Sequence, residues 1–427
     1  MNKFFNWLEE KFVPIMAKFG NQRHILAIRD GFISAMPLMI VGSFLLILAF
    51  PPFKEGTNFF LAKAWMNFAS KYFDNLMMPF NMTMGIMTIF ISIGIGYSLA
   101  KSYGLDALSG GMLSLMSFLL VAAQMKDGGL PTAFLGGTGI FTAILTSIFS
   151  IEILRFLKKK NWTIKLPEGV PPRIAVSFEA LIPVFMCVII FYPLSILVKT
   201  TTGMSIPAAI MKLFEPLLIA SDSLGAVIIA ALLCHLLWFA GIHGASIVSG
   251  IMQTFWLTNL AANQEALRMG EALPKIFMEP FWAFYIVIGG SGATLALTML
   301  YLKSKSSHLK SIGKVAILPA LFNINEPVIF GTPIVMNPVF FIPFVLAPIV
   351  NGTIAYIVLK LGLVSRIVAL PPWTTPAPIG AMWAAGWDIK AAILVLVLAV
   401  VSGMIYYPFV KIHENRTEQD QEDKVAA

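Results

Sequence analysis

Two side chains carry chemistry at positions where an apolar, lipid-facing chain would not ordinarily place it. Glu326 stands in Leu321-Phe-Asn-Ile-Asn-Glu-Pro-Val-Ile-Phe-Gly331, between two apolar runs. A carboxylate at membrane depth costs roughly 2.5–3.5 kcal/mol on insertion scales, so it marks a functional position unless a neighbour pairs with it. Pro327 lacks an N–H and biases Glu326 away from helix. A broken or re-entrant segment lining a polar cavity is expected there rather than a continuous helix. His243 stands in Trp238-Phe-Ala-Gly-Ile-His-Gly244. Gly241 and Gly244 bracket it, which predicts a helix break and a close approach of backbone to ligand. If the helix instead continues, His235, Trp238, Ile242 and His243 share one face. A histidine in an apolar run is often only a hydrogen-bonded core residue. That reading fits His235 better than His243, although His235 is retained among the candidate contacts.

Around this pair, Asn323 and Asn325 add amides and Trp238 and Trp373 add rings. One carboxylate, one imidazole, amides and aromatic faces suit a neutral, polyhydroxylated ligand: polar groups meet the hydroxyls while rings cover the apolar C–H faces. The candidate catalytic pair is Glu326 and His243, and the candidate substrate contacts are Trp238, Asn323, Asn325, Trp373 and His235. Most of the other tryptophans read as an interfacial aromatic belt. No metal is expected, because Cys187 and Cys234 lie in apolar runs without metal-ligand spacing and imply no disulfide framework. Zinc, Walker and dinucleotide motifs are absent, and the near absence of intramembrane Asp gives no basis for a Ser/His/Asp triad.

The elements that must position these groups are membrane helices. The 427 residues are 58% hydrophobic and 12% charged, with a mean hydropathy of +0.81. Several runs exceed the roughly 18 apolar residues that span a bilayer, and few strands of alternating pattern occur. The expected fold is an all-α polytopic membrane protein of about ten transmembrane helices, two re-entrant hairpins and interfacial amphipathic helices. The net charge of +8 gathers in loops beside apolar spans, a positive-inside pattern that argues against nucleic acid as a partner.

Residues 1–30 read as an amphipathic helix on the membrane, with Phe4, Phe5, Trp7, Leu8 and Phe12 against a basic face. Spans follow at about 31–51, 77–100, 105–124, 132–157 and 177–199. Gly136-Gly-Thr-Gly139 in the fourth permits close helix approach, and lacks the strand and lysine of a phosphate loop. Glu152 and Arg155 read as a structural pair, and Glu179 as an interfacial or paired group. The basic loop from Lys158 to Arg173 is placed in the cytoplasm.

A boundary between two halves, 31–200 and 201–410, is drawn because polar intramembrane residues concentrate after it. Residues 200–220 suggest an interfacial helix. Further spans are expected at about 221–240, 244–261, 279–302, 337–361 and 389–410. The re-entrant candidates are 315–331 and the Pro-rich 368–387. The charged tail 411–427 reads as disordered, and both termini as cytoplasmic.

Phe322-Asn-Ile-Asn-Glu-Pro-Val-Ile-Phe-Gly331 with Pro333-Ile-Val-Met-Asn-Pro338 resembles a signature of the membrane enzyme IIC components of the bacterial phosphoenolpyruvate-dependent sugar phosphotransferase system. The lactose/cellobiose/diacetylchitobiose branch fits best, and Trp238–Gly244, Phe178-Glu-Ala-Leu-Ile-Pro183 and Pro372-Trp-Thr-Thr-Pro376 extend the resemblance over essentially the whole chain. The resemblance implies a homodimer in the bacterial cytoplasmic membrane, with dimer contacts in the first half and the sugar site in the second. It implies a β-linked disaccharide, cellobiose-type first, whose C6 hydroxyl is phosphorylated beside Glu326 and His243. No cofactor is implied: the phosphoryl group comes from a phosphocysteine on a separate IIB protein, itself served by IIA. No fused IIB domain is expected, because only a short tail follows residue 410. An ion-coupled secondary sugar transporter is the alternative, since broken helices at mid-membrane are common to both designs. A sugar receptor without transport is a further rival, but 411–427 is too short for a signalling module.

Overall fold

The computed structural model describes residues 13–51, 53, 57, 59–125, 128–164, 166–167, 169–332, 334 and 337–426. The first stretch is helical: α1 (Val13–Gly20), α2 (Arg23–Ala49), α3 (Phe60–Lys71), α4 (Phe73–Asn81), α5 (Met87–Ser102), α6 (Ala107–Ala122), α7 (Ile140–Lys159), α8 (Pro172–Glu179) and α9 (Leu181–Thr202). Then come α10 (Ile206–Ser221), α11 (Leu224–Phe239), α12 (Gly244–Arg268), α13 (Glu279–Phe281), α14 (Leu295–Leu302), α15 (Ser307–Leu321), α16 (Glu326–Gly331), α17 (Pro338–Lys360), α18 (Ala377–Ala384) and α19 (Ile389–Ala426).

Among the described residues, six helical stretches are long and apolar enough to cross a membrane: 23–49, 73–102, 137–159, 174–202, 338–360 and 389–414. The bent pair α10 and α11, at 75° to each other, makes a seventh candidate. The first span therefore begins at Arg23 rather than near residue 31, and α1 is the described part of the expected surface helix, with Phe4, Phe5, Trp7, Leu8 and Phe12 outside the described residues. Gln22 starts that span early by capping it, its side-chain oxygen accepting from Ile25 N. The tail expected to be disordered continues α19 as helix to Ala426.

α2, α5, α6 and α7 pack as one bundle. Small residues let them approach: a Cβ on Gly96 would lie 2.4 Å from Ser114 Cβ. Ser92, Ser114 and Ser147 satisfy one another at 2.7–3.2 Å across three of these helices. Glu152 pairs with Arg155 at 3.1 Å and Glu179 with Lys158 at 2.7 Å, as the sequence suggested.

The later part packs α11, α14, α15, α17, α18 and α19 together, and α12 runs between this group and α2. α12 is less apolar than a lipid-facing span because it anchors extended chain. Asn259 donates to Phe277 O, Asn263 to Lys275 O and Ile367 O, and Gln264 to Val368 O, all within 2.8–3.0 Å.

The expected plain span at 279–302 is broken. α13 passes into a π turn, Trp282–Ile286, and an irregular stretch then runs to α14. Gly289, Gly290 and Gly292 there have φ of +76°, +99° and +88°, a region that disfavours any residue with a Cβ. At the two segments expected to re-enter, the helix is interrupted: α15 and α16 are separated by a break at 322–325, and a stretch without regular structure, 365–372, leads through a turn into α18.

Candidate functional site

The helix carrying His235 and Trp238 stops at Phe239, so the shared-face alternative with His243 is not the one adopted. Gly241 takes φ +82°, and a Cβ on Gly244 would lie 2.0 Å from Cys234 O. The chain turns sharply there and restarts as α12 with His243 as its N-cap. Ser246 N donates to His243 Nδ1 at 3.2 Å, and Ser246 Oγ lies 2.8 Å from the same atom. A backbone N–H can only donate, so Nδ1 keeps its lone pair and the neutral ring carries its proton on Nε2. Trp238 packs against this ring with centroids 4.4 Å apart.

Glu326 opens α16, with Pro327 in its first turn and Asn325 before it. Its carboxylate sits where the unpaired N–H groups of a helix start favour negative charge. A cavity of about 420 Å³ is lined by Glu326, His243, Trp238, Trp373, Asn323 and Asn325, together with Ser246, Gln253, Trp256, Glu279 and Trp282. Arg29, Phe32, Ile33 and Met36 close it from α2.

The two asparagines lie in the wall, but the whole amide of Asn323 and the NH2 group of Asn325 are bonded within the protein. Asn323 accepts from Gly289 N at 3.0 Å and donates to Trp373 O at 2.7 Å and Thr375 O at 3.0 Å. Its φ of +61° is one that Asn tolerates better than most side chains. Asn325 donates to Ser291 O at 2.5 Å and Thr294 Oγ1 at 3.0 Å. His235 is outside the cavity wall and fully buried. It accepts from Gly292 N at 2.7 Å, which leaves Nδ1 to donate to Ala231 O at 2.6 Å. Both ring nitrogens are thus engaged between α11 and the glycine loop.

Sequence reasoning passed over Glu279 and Gln253, whose side chains meet at 2.7 Å with Gln253 Nε2 donating. A signal was present. Glu279-Pro280 and Glu326-Pro327 are the same dipeptide, each opening a short helix. Placing residue 279 at the edge of a span hid it. Arg29 was passed over for the same reason. Among the described residues no group of His, Cys, Asp and Glu is arranged to hold a metal ion.

Residues 29–348 match the family model described as Phosphotransferase system, EIIC. The chain belongs to this family. It is 39% identical to the lichenan permease IIC component of Bacillus subtilis, over 99% of this chain and 96% of that one. It is 39% identical to the cellobiose-specific EIIC component of Geobacillus stearothermophilus, over 99% of this chain and 97% of that one. The crystal structure of ChbC, the IIC component of the N,N'-diacetylchitobiose-specific phosphotransferase system, superposes with a TM-score of 0.90 at 38% identity, covering 97% of this chain and 99% of that one. This EIIC chain is thus an all-helical, multi-pass protein of the bacterial cell membrane and a sugar permease of the cellobiose/lactose group. As an EIIC component it works with a IIB partner and a sugar.

Proposed function

We propose that the cavity binds a β-linked disaccharide, cellobiose-type first, and presents its C6 hydroxyl for phosphorylation by a phosphocysteine on the IIB partner. The observation that carries this is the meeting of Glu326, His243, Trp238 and Trp373 in one cavity of about 420 Å³, a size within the roughly 300–1,000 Å³ of small-molecule sites. The rings of Trp238 and Trp373 cover the C–H faces of one sugar unit. Glu279 and Gln253 offer an acceptor and an amide to the other. Glu326 accepts the hydrogen bond of the C6 hydroxyl and takes its proton as the new P–O bond forms. The Nε2–H of His243, fixed by the cap at Nδ1, donates to the oxygens where charge develops. Little covalent help is needed, because phosphoryl transfer depends mainly on position and charge. The lichenan, cellobiose and lactose names of the relatives support the substrate class. Both termini are assigned to the cytoplasm and the assembly to a homodimer through the first half.

The test is Glu326→Gln in the full chain, reconstituted with the cognate phosphorylated IIB and labelled cellobiose. Sugar binding is expected to survive, and phosphorylation to fall by about 10²-fold or more. Undiminished phosphorylation would sink the assignment. Accumulation of unmodified sugar driven by an ion gradient would favour the ion-coupled alternative.

A further inference from the structure

Beside the sugar cavity lies a smaller one of about 160 Å³, between the start of α2 and the break before α12. Asn21, Arg29, His243 and Ser246 supply its polar groups. Arg29, His243 and Ser246 are also the residues that line both cavities. The partition between the two spaces is therefore an imidazole, a hydroxyl and a guanidinium, of which the imidazole Nε2–H and the guanidinium N–H groups can donate to a phosphoryl oxygen. The guanidinium is held from one side. Its Nε and Nη2 donate to Asp30 Oδ1 at 3.2 and 3.0 Å, and Asp30 Oδ2 accepts from Ser98 Oγ at 2.8 Å. Asp30 lines neither cavity. A planar fork bound along one edge still offers N–H groups on the other, and its orientation is already fixed. The start of α12, 25 residues long, adds its positive end at Ser246.

We propose that the small cavity admits the phosphorylated thiol of the IIB partner, and that Arg29 is a further catalytic residue that bears the charge on the phosphoryl oxygens during transfer. This rests on the reading that the acceptor hydroxyl lies at Glu326 and His243. Donor and acceptor must approach phosphorus from opposite sides. Two spaces that share one donor-lined partition supply those sides, and the sugar fills the larger. The P–S bond breaks as the P–O bond forms. The hydroxyl proton passes to Glu326, and the partner's cysteine leaves as a thiolate.

Arg29→Gln, Arg29→Lys and Asn21→Trp are made in the full chain and assayed for cellobiose binding and for turnover with phosphorylated IIB. Arg29→Gln is expected to lower turnover by about 10³-fold while leaving sugar affinity within about twofold. Arg29→Lys should recover part of the loss, restoring charge without the fork. Asn21→Trp fills the small cavity while leaving the guanidinium of Arg29 present, and should depress turnover with sugar binding intact. If Arg29→Gln fails to fold, Asn21→Trp decides the matter. Wild-type turnover in either Arg29→Gln or Asn21→Trp, or loss of sugar binding in step with turnover, overturns the proposal. A wild-type chain that binds cellobiose but is never phosphorylated by the partner would instead overturn the function reading beneath it.

Discussion

His243 combines two duties in one ring. Nδ1 caps α12 through Ser246 N, and that contact dictates which nitrogen carries the proton. His243→Asn keeps a capping acceptor, whereas His243→Ala removes it, at a cost of about 1 kcal/mol. The expected outcome is a lowered thermal midpoint for the Ala variant only, with phosphorylation impaired in both. Equal midpoints for the two variants would show that the cap contributes nothing. Glu326 and His243 were legible in the sequence because an ionisable group inside an apolar run stands out against its neighbours. Glu279 and Arg29 were not, since each follows or precedes charged loop residues and hydropathy alone puts it at a membrane border. Asn323 and Asn325 were legible as members of the site, but not in their part in it. Only the folded chain shows that their amides reach Gly289, Ser291 and Trp373.

At the scale of elements, the long helices followed from apolar runs, and the two hairpins from Pro-rich or charge-bearing interruptions. The broken stretch between α13 and α14 did not follow, because Gly289-Gly-Ser-Gly292 looks like a close-packing helix stripe until positive φ values separate the two cases. What holds this irregular backbone is polar: His235, Asn323 and Asn325 together satisfy Gly289 N, Gly292 N and Ser291 O. Replacing Asn323 by Leu strands Gly289 N, Trp373 O and Thr375 O, at about 1–3 kcal/mol for each buried group left unmet. It also forces a poor side chain into φ +61°. Hydrogen exchange is expected to quicken at residues 288–292 and 372–376 together in that variant. Faster exchange confined to one of the two segments would contradict the joint role.

Across the whole molecule, the cavity is built mostly from residues after 230, and α2 closes it with Arg29, Phe32, Ile33 and Met36. The halves drawn from composition thus describe how polar residues are distributed, while the site itself draws on both. Spin labels near residues 330 and 379, on the two hairpins, should keep a constant separation when cellobiose and phosphorylated IIB are added. Labels near 38 and 379 should change theirs. A changing separation between the hairpins would contradict the coupling that Asn323 imposes. That one amide stitches both hairpin tips and the glycine loop, so the floor and the side of the chamber cannot part company. Sugar release is then expected to carry this whole cup past α2 as one body, so a molecule wedged in the seam should arrest transport without competing for the carbohydrate.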